Sequence, residues 1–129
     1  MVKTCRLVKV TVNNEPGKLA AVTAALRDAG ININVVAGWV EGDAGIMQFC
    51  TSDPDAACAT VTPLVDQCEF SESVCVEVDN QIGALSEIAA KIADAGVNIV
   101  SIHSSPGAAN MATVVIQSED NAKVAEILG

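Results

Sequence analysis

The chain is expected to take an α+β fold in which one βαββα unit occurs twice, and three features of the sequence lead there. It has 129 residues, room for one compact domain or for two very small ones sharing a core. Half of those residues are apolar, enough buried surface to offset the entropy of ordering the chain. The third feature is an internal repeat. A shift of 66 residues lays VTVNNEPGKL (10–19) on VEVDNQIGAL (76–85) and DAGINI (28–33) on DAGVNI (94–99). Over positions 10 to 33 eleven of 24 residues are identical without a gap, so the chain is a tandem duplication.

The elements of one unit follow in order. Residues 2 to 12 alternate, with Val8, Val10 and Val12 on one face and Lys9 and Thr11 on the other, the period-2 pattern of a half-buried strand. Asn13, Asn14, Pro16 and Gly17 interrupt it, and Leu19, Val22, Leu26 and Ala29 then recur at helical spacing up to Gly30, a stop signal. Residues 31 to 40 and 46 to 51 read as two strands around a turn at 41 to 45. Asp53 and Pro54 open a second helix running through Ala57, Val61 and Leu64, with Pro63 as a kink or early end. In the second copy the same reading gives a strand at 70 to 78, a helix at 83 to 95, strands at 97 to 105 and 111 to 117, and a last helix from about 119 to 128 capped by Ser118.

A complete ferredoxin-like unit is βαββαβ, with its last strand antiparallel beside its first. Both copies, 1–67 and 68–129, stop one strand short. The economical arrangement puts the two first strands antiparallel to each other, each filling the other's vacant position. The result is one antiparallel-rich sheet of six strands with helices on one face, a single folding unit in which neither half folds alone. Charge favours this pairing: Lys3, Arg6 and Lys9 on one first strand would meet Glu69, Glu72 and Glu77 on the other.

The composition also excludes partners. Sixteen acidic against seven basic residues give a net charge of -9, which repels phosphate backbones and anionic headgroups, so neither nucleic acid nor a membrane surface is expected. The three aromatic residues, Trp39, Phe49 and Phe70, form no stacking platform for bases. No apolar run approaches the roughly 18 residues of a membrane span, and the expected location is the cytoplasm. Cys5, Cys50, Cys58, Cys68 and Cys75 show no C-x-x-C spacing and are expected to be small apolar fillers in a reducing compartment. No nucleophile elbow, paired Cys and His, or phosphate-binding Gly-rich loop is present, so the chain is not expected to be an enzyme or to hold a metal or cofactor. Glu41, Asp43, Asp53 and Asp55 fall at turns and helix starts, where carboxylates are common. The single histidine, His103, reads as an ordinary strand residue.

The doubled turn is the feature that suggests a site. Asn13 to Gly17 and Asp79 to Gly83 each lead from a strand straight into a helix, where backbone N–H groups and the positive dipole end favour a carboxylate. Gly17 and Gly83 leave the first turn without a side chain, so a ligand can approach the backbone. Asn14 and Asn80 read equally well as helix caps. Asn32 and Asn98, each at the start of an apolar strand, offer side-chain amides that can bind a carboxylate or an ammonium. A small zwitterion matches this set.

Strand, Asn-x-Pro-Gly-x-Leu, helix, Ala-Gly-Ile-Asn-Ile, strand, hairpin, strand, helix resembles the ACT domain, a small regulatory module that binds amino acids in many biosynthetic enzymes. The resemblance rests on Asn14, Pro16, Gly17, Leu19, Gly30, Asn32 and Ile33 and on Asn80, Gly83, Leu85, Gly96, Asn98 and Ile99. The second copy departs from it at Ile82, where the family often has Pro, and its loop is correspondingly less constrained. The resemblance implies a ligand between paired modules, contacted by Asn14, Glu15, Gly17 and Asn32 and by Asn80, Gln81, Gly83 and Asn98.

The two copies take up the whole sequence, which therefore resembles a free-standing tandem ACT protein: a non-catalytic amino-acid sensor acting on a partner enzyme or through its own assembly. The apolar third strands of the two copies suggest a homodimer or larger oligomer. Trp39 belongs either to that interface or to a ligand wall. A structural dimerisation module without ligand is the alternative, and an enzyme acting on a small carboxylate is the remote one. The scarcity of aromatic residues leans toward a small or branched aliphatic ligand, while Trp39 keeps an aromatic one open.

Overall fold

A computed structural model of the chain describes residues 2–129. The elements are β1 (Val2–Asn13), α1 (Lys18–Asp28), β2 (Ile33–Glu41), β3 (Ala44–Thr51), α2 (Pro54–Val61), a 3-10 turn (Thr62–Leu64), β4 (Gln67–Asp79), α3 (Ala84–Asp94), β5 (Ile99–Pro106), β6 (Met111–Ser118) and α4 (Asn121–Leu128). This is βαββα twice. The strands form an antiparallel sheet in the order β2-β3-β1-β4-β6-β5, so the two first strands are neighbours, as the missing fourth strands required.

The chain divides into two compact units whose borders cut through the long strands. One spans Arg6–Ser71, and the other joins the residues through Cys5 to Glu72–Gly129. Within the Arg6–Ser71 unit, Val8, Val10, Val12, Met47 and Phe49 of the strands pack against Val22 and Leu26 of α1 and Ala57 and Val61 of α2. Cys68, from the first residues of β4, packs against that core. In the other unit Val74, Val76, Val114 and Ile116 meet Ile88 and Ile92 of α3 and Val124 of α4, with Val2 packed alongside. Ser73 Oγ there donates 2.7 Å to the Cys5 carbonyl. Each unit thus takes its extra half-strand from the other repeat. Residues of alternate parity point at the helices, the two-residue period that marked these strands in the sequence.

Local chemistry sets the helix ends, and at two of them it differs from expectation. Asp53 caps α2, its Oδ1 accepting the Ala56 N–H at 3.1 Å, with Pro54 in the first turn. α2 ends at Val61 and does not reach Leu64 as an α-helix. Pro63 has no N–H to continue the ladder, and the chain tightens into the 3-10 turn. The cap of α4 is Asp120, which accepts the Lys123 N–H at 3.1 Å, and not Ser118. Ser118 still belongs to β6, and its Oγ accepts the Asp120 N–H at 3.2 Å.

The hairpins differ by one residue. Val12 pairs with Gly45 and Val78 with Ala112, so β4 lies 66 residues after β1 (78 − 12) while β6 lies 67 after β3 (112 − 45). The longer second turn carries Ala109 and Asn110 at φ 53° and 61°.

Cys58, Cys68 and Cys75 are free thiols. Cys5 and Cys50 are disulfide-bonded, which corrects the expectation of five reduced fillers and removes cysteine usage as an argument for a reducing compartment. Among the described residues no helix is long and apolar enough to cross a membrane.

Candidate functional site

The turn between β1 and α1 is held by backbone bonds. The Asn14 N–H donates to the Asp43 carbonyl at 3.1 Å, and the Glu15 N–H to the Asn13 carbonyl at 2.9 Å. The residue that starts α1 is Gly17, at φ 88°, with no side-chain cap. The second repeat copies this closely: the Asn80 N–H reaches the Asn110 carbonyl at 2.7 Å, the Gln81 N–H the Asp79 carbonyl at 3.0 Å, and Gly83 stands at φ 89° before α3. Neither Asn14 nor Asn80 is therefore the cap of its helix. The chain needs a left-handed residue to turn from strand into helix, and glycine meets that need without the steric cost of a Cβ.

Above this turn, in the Arg6–Ser71 unit, lies a cavity of about 540 Å3 between α1 and the strands β1, β2 and β3. Val12, Val36, Gly38, Val40, Gly45, Ile46 and Met47 line it from the sheet, and Leu19 and Thr23 from α1. Asn13, Asn14, Glu15 and Lys18 supply a polar end, and Trp39 borders the cavity from β2 with its side chain on the sheet face opposite Gly38 and Val40. Gly38 leaves part of the floor without a side chain, whereas Gly45 is covered by Val12, whose Cγ2 would lie 3.2 Å from a Cβ there. Gly38 pairs with Met47 and Gly45 with Val40, and a Cβ at Gly38 would meet only ordinary contacts, 3.5 Å to the Ile46 carbonyl oxygen and 3.9 Å to Met47 Cγ. At the polar end Lys18 Nζ is 4.0 Å from Glu15 Oε2, beside the positive end of the α1 dipole. Trp39 Nε1–H donates to Glu41 Oε1 at 3.1 Å, which fixes the indole.

The other unit has a smaller cavity, about 210 Å3, with a different character. Glu77, Asp79 and Glu87 face a single Lys91, with Gln81, Ala84, Ile88 and Leu128 among the remaining walls. At the positions equivalent to Lys18, Gly38 and Trp39 the second repeat has Ala84, Ser104 and Ser105. The second cavity has no lysine at the helix start, and a serine stands where the first has the glycine of its floor.

The structure thus places Asn14 and Glu15 on the larger cavity and Gln81 on the smaller one. Gly17 and Gly83 shape the turns without lining either cavity, and Asn80 lines neither. Asn32 Nδ2 donates to Asn34 Oδ1 at 2.9 Å. Asn98 binds the segment before α4, its backbone carbonyl accepting the Glu119 N–H at 3.1 Å and its Nδ2 donating to Glu119 Oε2 at 3.5 Å. Both amides stand away from the cavities. Lys18, Val36, Gly38 and Met47 were not among the site residues of the sequence reading, which looked for what the repeats share. Their signal lies in what the repeats do not share.

Groups with displaced titration lie outside the larger cavity. Burial holds the His103 imidazole below its ordinary 6.5, and its Nδ1 is buried without a hydrogen-bond partner. Burial, followed by the hydrogen bond and charge of Cys58, pushes the Cys68 thiol up to about 12.

Residues 73–129 match the ACT domain family. The match lies within the second repeat. No curated protein matches the chain by sequence. Among solved structures, a protein of Bacteroides thetaiotaomicron is 26% identical with a TM-score of 0.88, the alignment covering 98% of this chain and 88% of that one. The ligand-free regulatory subunit of aspartate kinase from Thermus thermophilus is 17% identical with a TM-score of 0.70, over 99% and 93% of the two chains. The aspartate kinase of Clostridium acetobutylicum, described as an allosteric enzyme, is 14% identical with a TM-score of 0.62, over 98% of this chain and 33% of its own. The last two likenesses are likenesses of fold.

Proposed function

We propose that the chain is a non-catalytic regulatory protein that binds a free amino acid in the cavity of its first repeat and passes occupancy to a partner enzyme or to its own assembly. The observation that carries this is the cavity itself: apolar walls ending in a helix start, an ammonium and a carboxylate. A zwitterion can set its carboxylate at the α1 N-terminus beside Lys18 and its ammonium toward Glu15, with its side chain among Val12, Val36 and Met47. The ACT match of the second repeat and the likeness in fold to the regulatory subunit of aspartate kinase support a regulatory reading over an enzymatic one.

Assembly follows from the same place. β2 is an edge strand, so its outer backbone groups are open to pairing. Val36 and Val40 are more than half exposed, at 52% and 56%. A second copy of the chain laid along this edge would cover them and close the cavity, giving a homodimer with ligand between modules. The second repeat, with three carboxylates around its smaller cavity, disfavours an incoming carboxylate and fits a structural role.

Isothermal titration with each of the twenty amino acids tests the proposal. Heat from at least one of them, reduced in Lys18→Ala, is the expected result. Silence from all of them would leave a dimerisation module without ligand.

A further inference from the structure

The Arg6–Ser71 unit holds a pair of free thiols away from its cavity. Cys58 lies on α2 next to the buried Ala57, and Cys68, the second residue of β4, packs against the same core from the strand side. The two side chains are hydrogen-bonded to each other, and both are partly exposed. Thr62 joins them: its hydroxyl donates to the Cys58 carbonyl at 2.6 Å and lies 3.9 Å from Cys58 Sγ. Cys75, the third free thiol, is buried, and Cys5 and Cys50 are already disulfide-bonded. We propose that Cys58 and Cys68 form a thiol–disulfide exchange site for small-molecule disulfides, in which Cys58 attacks and Cys68 closes a protein disulfide. The site shares no residue with the amino-acid cavity.

The thiolate is the attacking form, and the two sulfurs are not equivalent. Burial first, then the hydrogen bond and charge of Cys58, push the Cys68 thiol up to about 12, so Cys68 keeps its proton and donates it to the Cys58 sulfur. Cys58 therefore attacks one sulfur of the incoming disulfide. A bond forms from Cys58 to that sulfur, the incoming S–S bond breaks, and the departing thiolate takes up the proton that Cys58 released. In the mixed disulfide Cys58 carries no charge and accepts a hydrogen bond only weakly, which removes two of the causes that raised the Cys68 thiol. Cys68 then gives its proton to solvent and attacks the Cys58 sulfur, and the second small thiolate leaves and is protonated. Two electrons pass in all: the two protein thiols are oxidised to one disulfide, and the small disulfide is reduced to two thiols. The hydrogen bond holds the resolving sulfur next to the attacking one, ahead of any competing thiol. The new bond closes a ring over residues 58 to 68 that ties α2 and the 3-10 turn to the first residues of β4.

The full chain is treated with glutathione disulfide near pH 8 and followed by intact mass and by peptide mapping without reduction. The expected product has lost two hydrogen atoms and carries Cys58 and Cys68 on one cross-linked peptide. Cys68→Ser is expected to stop at one glutathionyl group on Cys58, and Cys58→Ser to leave Cys68 reacting about a hundredfold more slowly. Should either variant unfold, the order is read on the wild type: acid quenching at early times is expected to trap glutathione on Cys58 and not on Cys68. A wild-type chain unchanged in mass, glutathione trapped on Cys68 or Cys75 ahead of Cys58, or a Cys58 mixed disulfide that persists without closing would overturn the assignment. A cross-link from either residue to Cys5, Cys50 or Cys75 would overturn it as well.

Discussion

Gly17 and Gly83 hold the same backbone angle, φ 88° and 89°, at the same place in the two repeats, and a Cβ at either would touch nothing within 4 Å. The cost of Gly17→Ala or Gly83→Ala is therefore conformational alone, about 1 to 2 kcal/mol, and similar in the two repeats. Urea denaturation of each variant measures it; a loss confined to one repeat would mean that the two turns are not equivalent. His103 is the other residue with a clear consequence. Its ring is buried and favoured neutral, so the stability it contributes is whole above pH 6.5 and falls away as pH drops through the lowered folded-state value. Urea midpoints taken from about pH 7 to pH 5 are expected to fall further for the wild type than for His103→Leu, and parallel curves would contradict this. Removing the unpartnered Nδ1 should cost little at neutral pH, since no hydrogen bond is lost. Cys68, raised to about 12, is expected to resist iodoacetamide at pH 8, because the thiolate is the reacting form.

The elements show where the sequence was legible and where it was not. Alternation over residues 2 to 12 and the helical spacing of Leu19, Val22 and Leu26 report burial, and burial is what the strands and helices obey. Caps were harder. Asp53 was visible because Pro54 follows it, whereas Asn14 looked like a cap and lies three residues before Gly17, the residue that starts α1. Positive φ outweighs side-chain capping there, and only the backbone reveals it. The site shows the same division. Asn14 and Glu15, read from their helix start, line the larger cavity, and Gly38 lines it by lacking a side chain, an absence that in mid-strand has no signature until the neighbouring strand is known. Two substitutions test the element level. Asp53→Ala and Asp120→Ala should each cost about 1 kcal/mol. Leu26→Ala, truncating a fully buried side chain in the core of the first repeat, should cost about 2 to 5 kcal/mol. Thermal or urea unfolding separates the two classes, and equal losses would mean that Leu26 is less well packed than its burial indicates.

For the molecule as a whole, the duplication was legible from eleven identities, and so was the sharing of strands, because each copy stops one strand short. The borders of the compact units fall inside β1 and β4, after Cys5 and after Ser71, so cutting the chain at residue 66 removes part of both cores. Fragments 1–66 and 67–129 are each expected to show no cooperative unfolding alone and to regain it when mixed; a sharp transition in either fragment by itself would contradict the shared sheet. The two repeats also differ in charge. The first carries 5 basic and 7 acidic residues and the second 2 and 9, and around the cavities this becomes one lysine beside one glutamate in the first and three carboxylates around one lysine in the second. The central claim is that an amino acid binds in the first repeat. Its most direct test is the amide proton–nitrogen spectrum of the full chain with and without each of the twenty amino acids at saturation. Shifts at Asn14, Glu15, Lys18, Gly38 and Met47, with residues 76 to 91 quiet, are predicted; an unchanged spectrum, or shifts confined to 76 to 91, would contradict it.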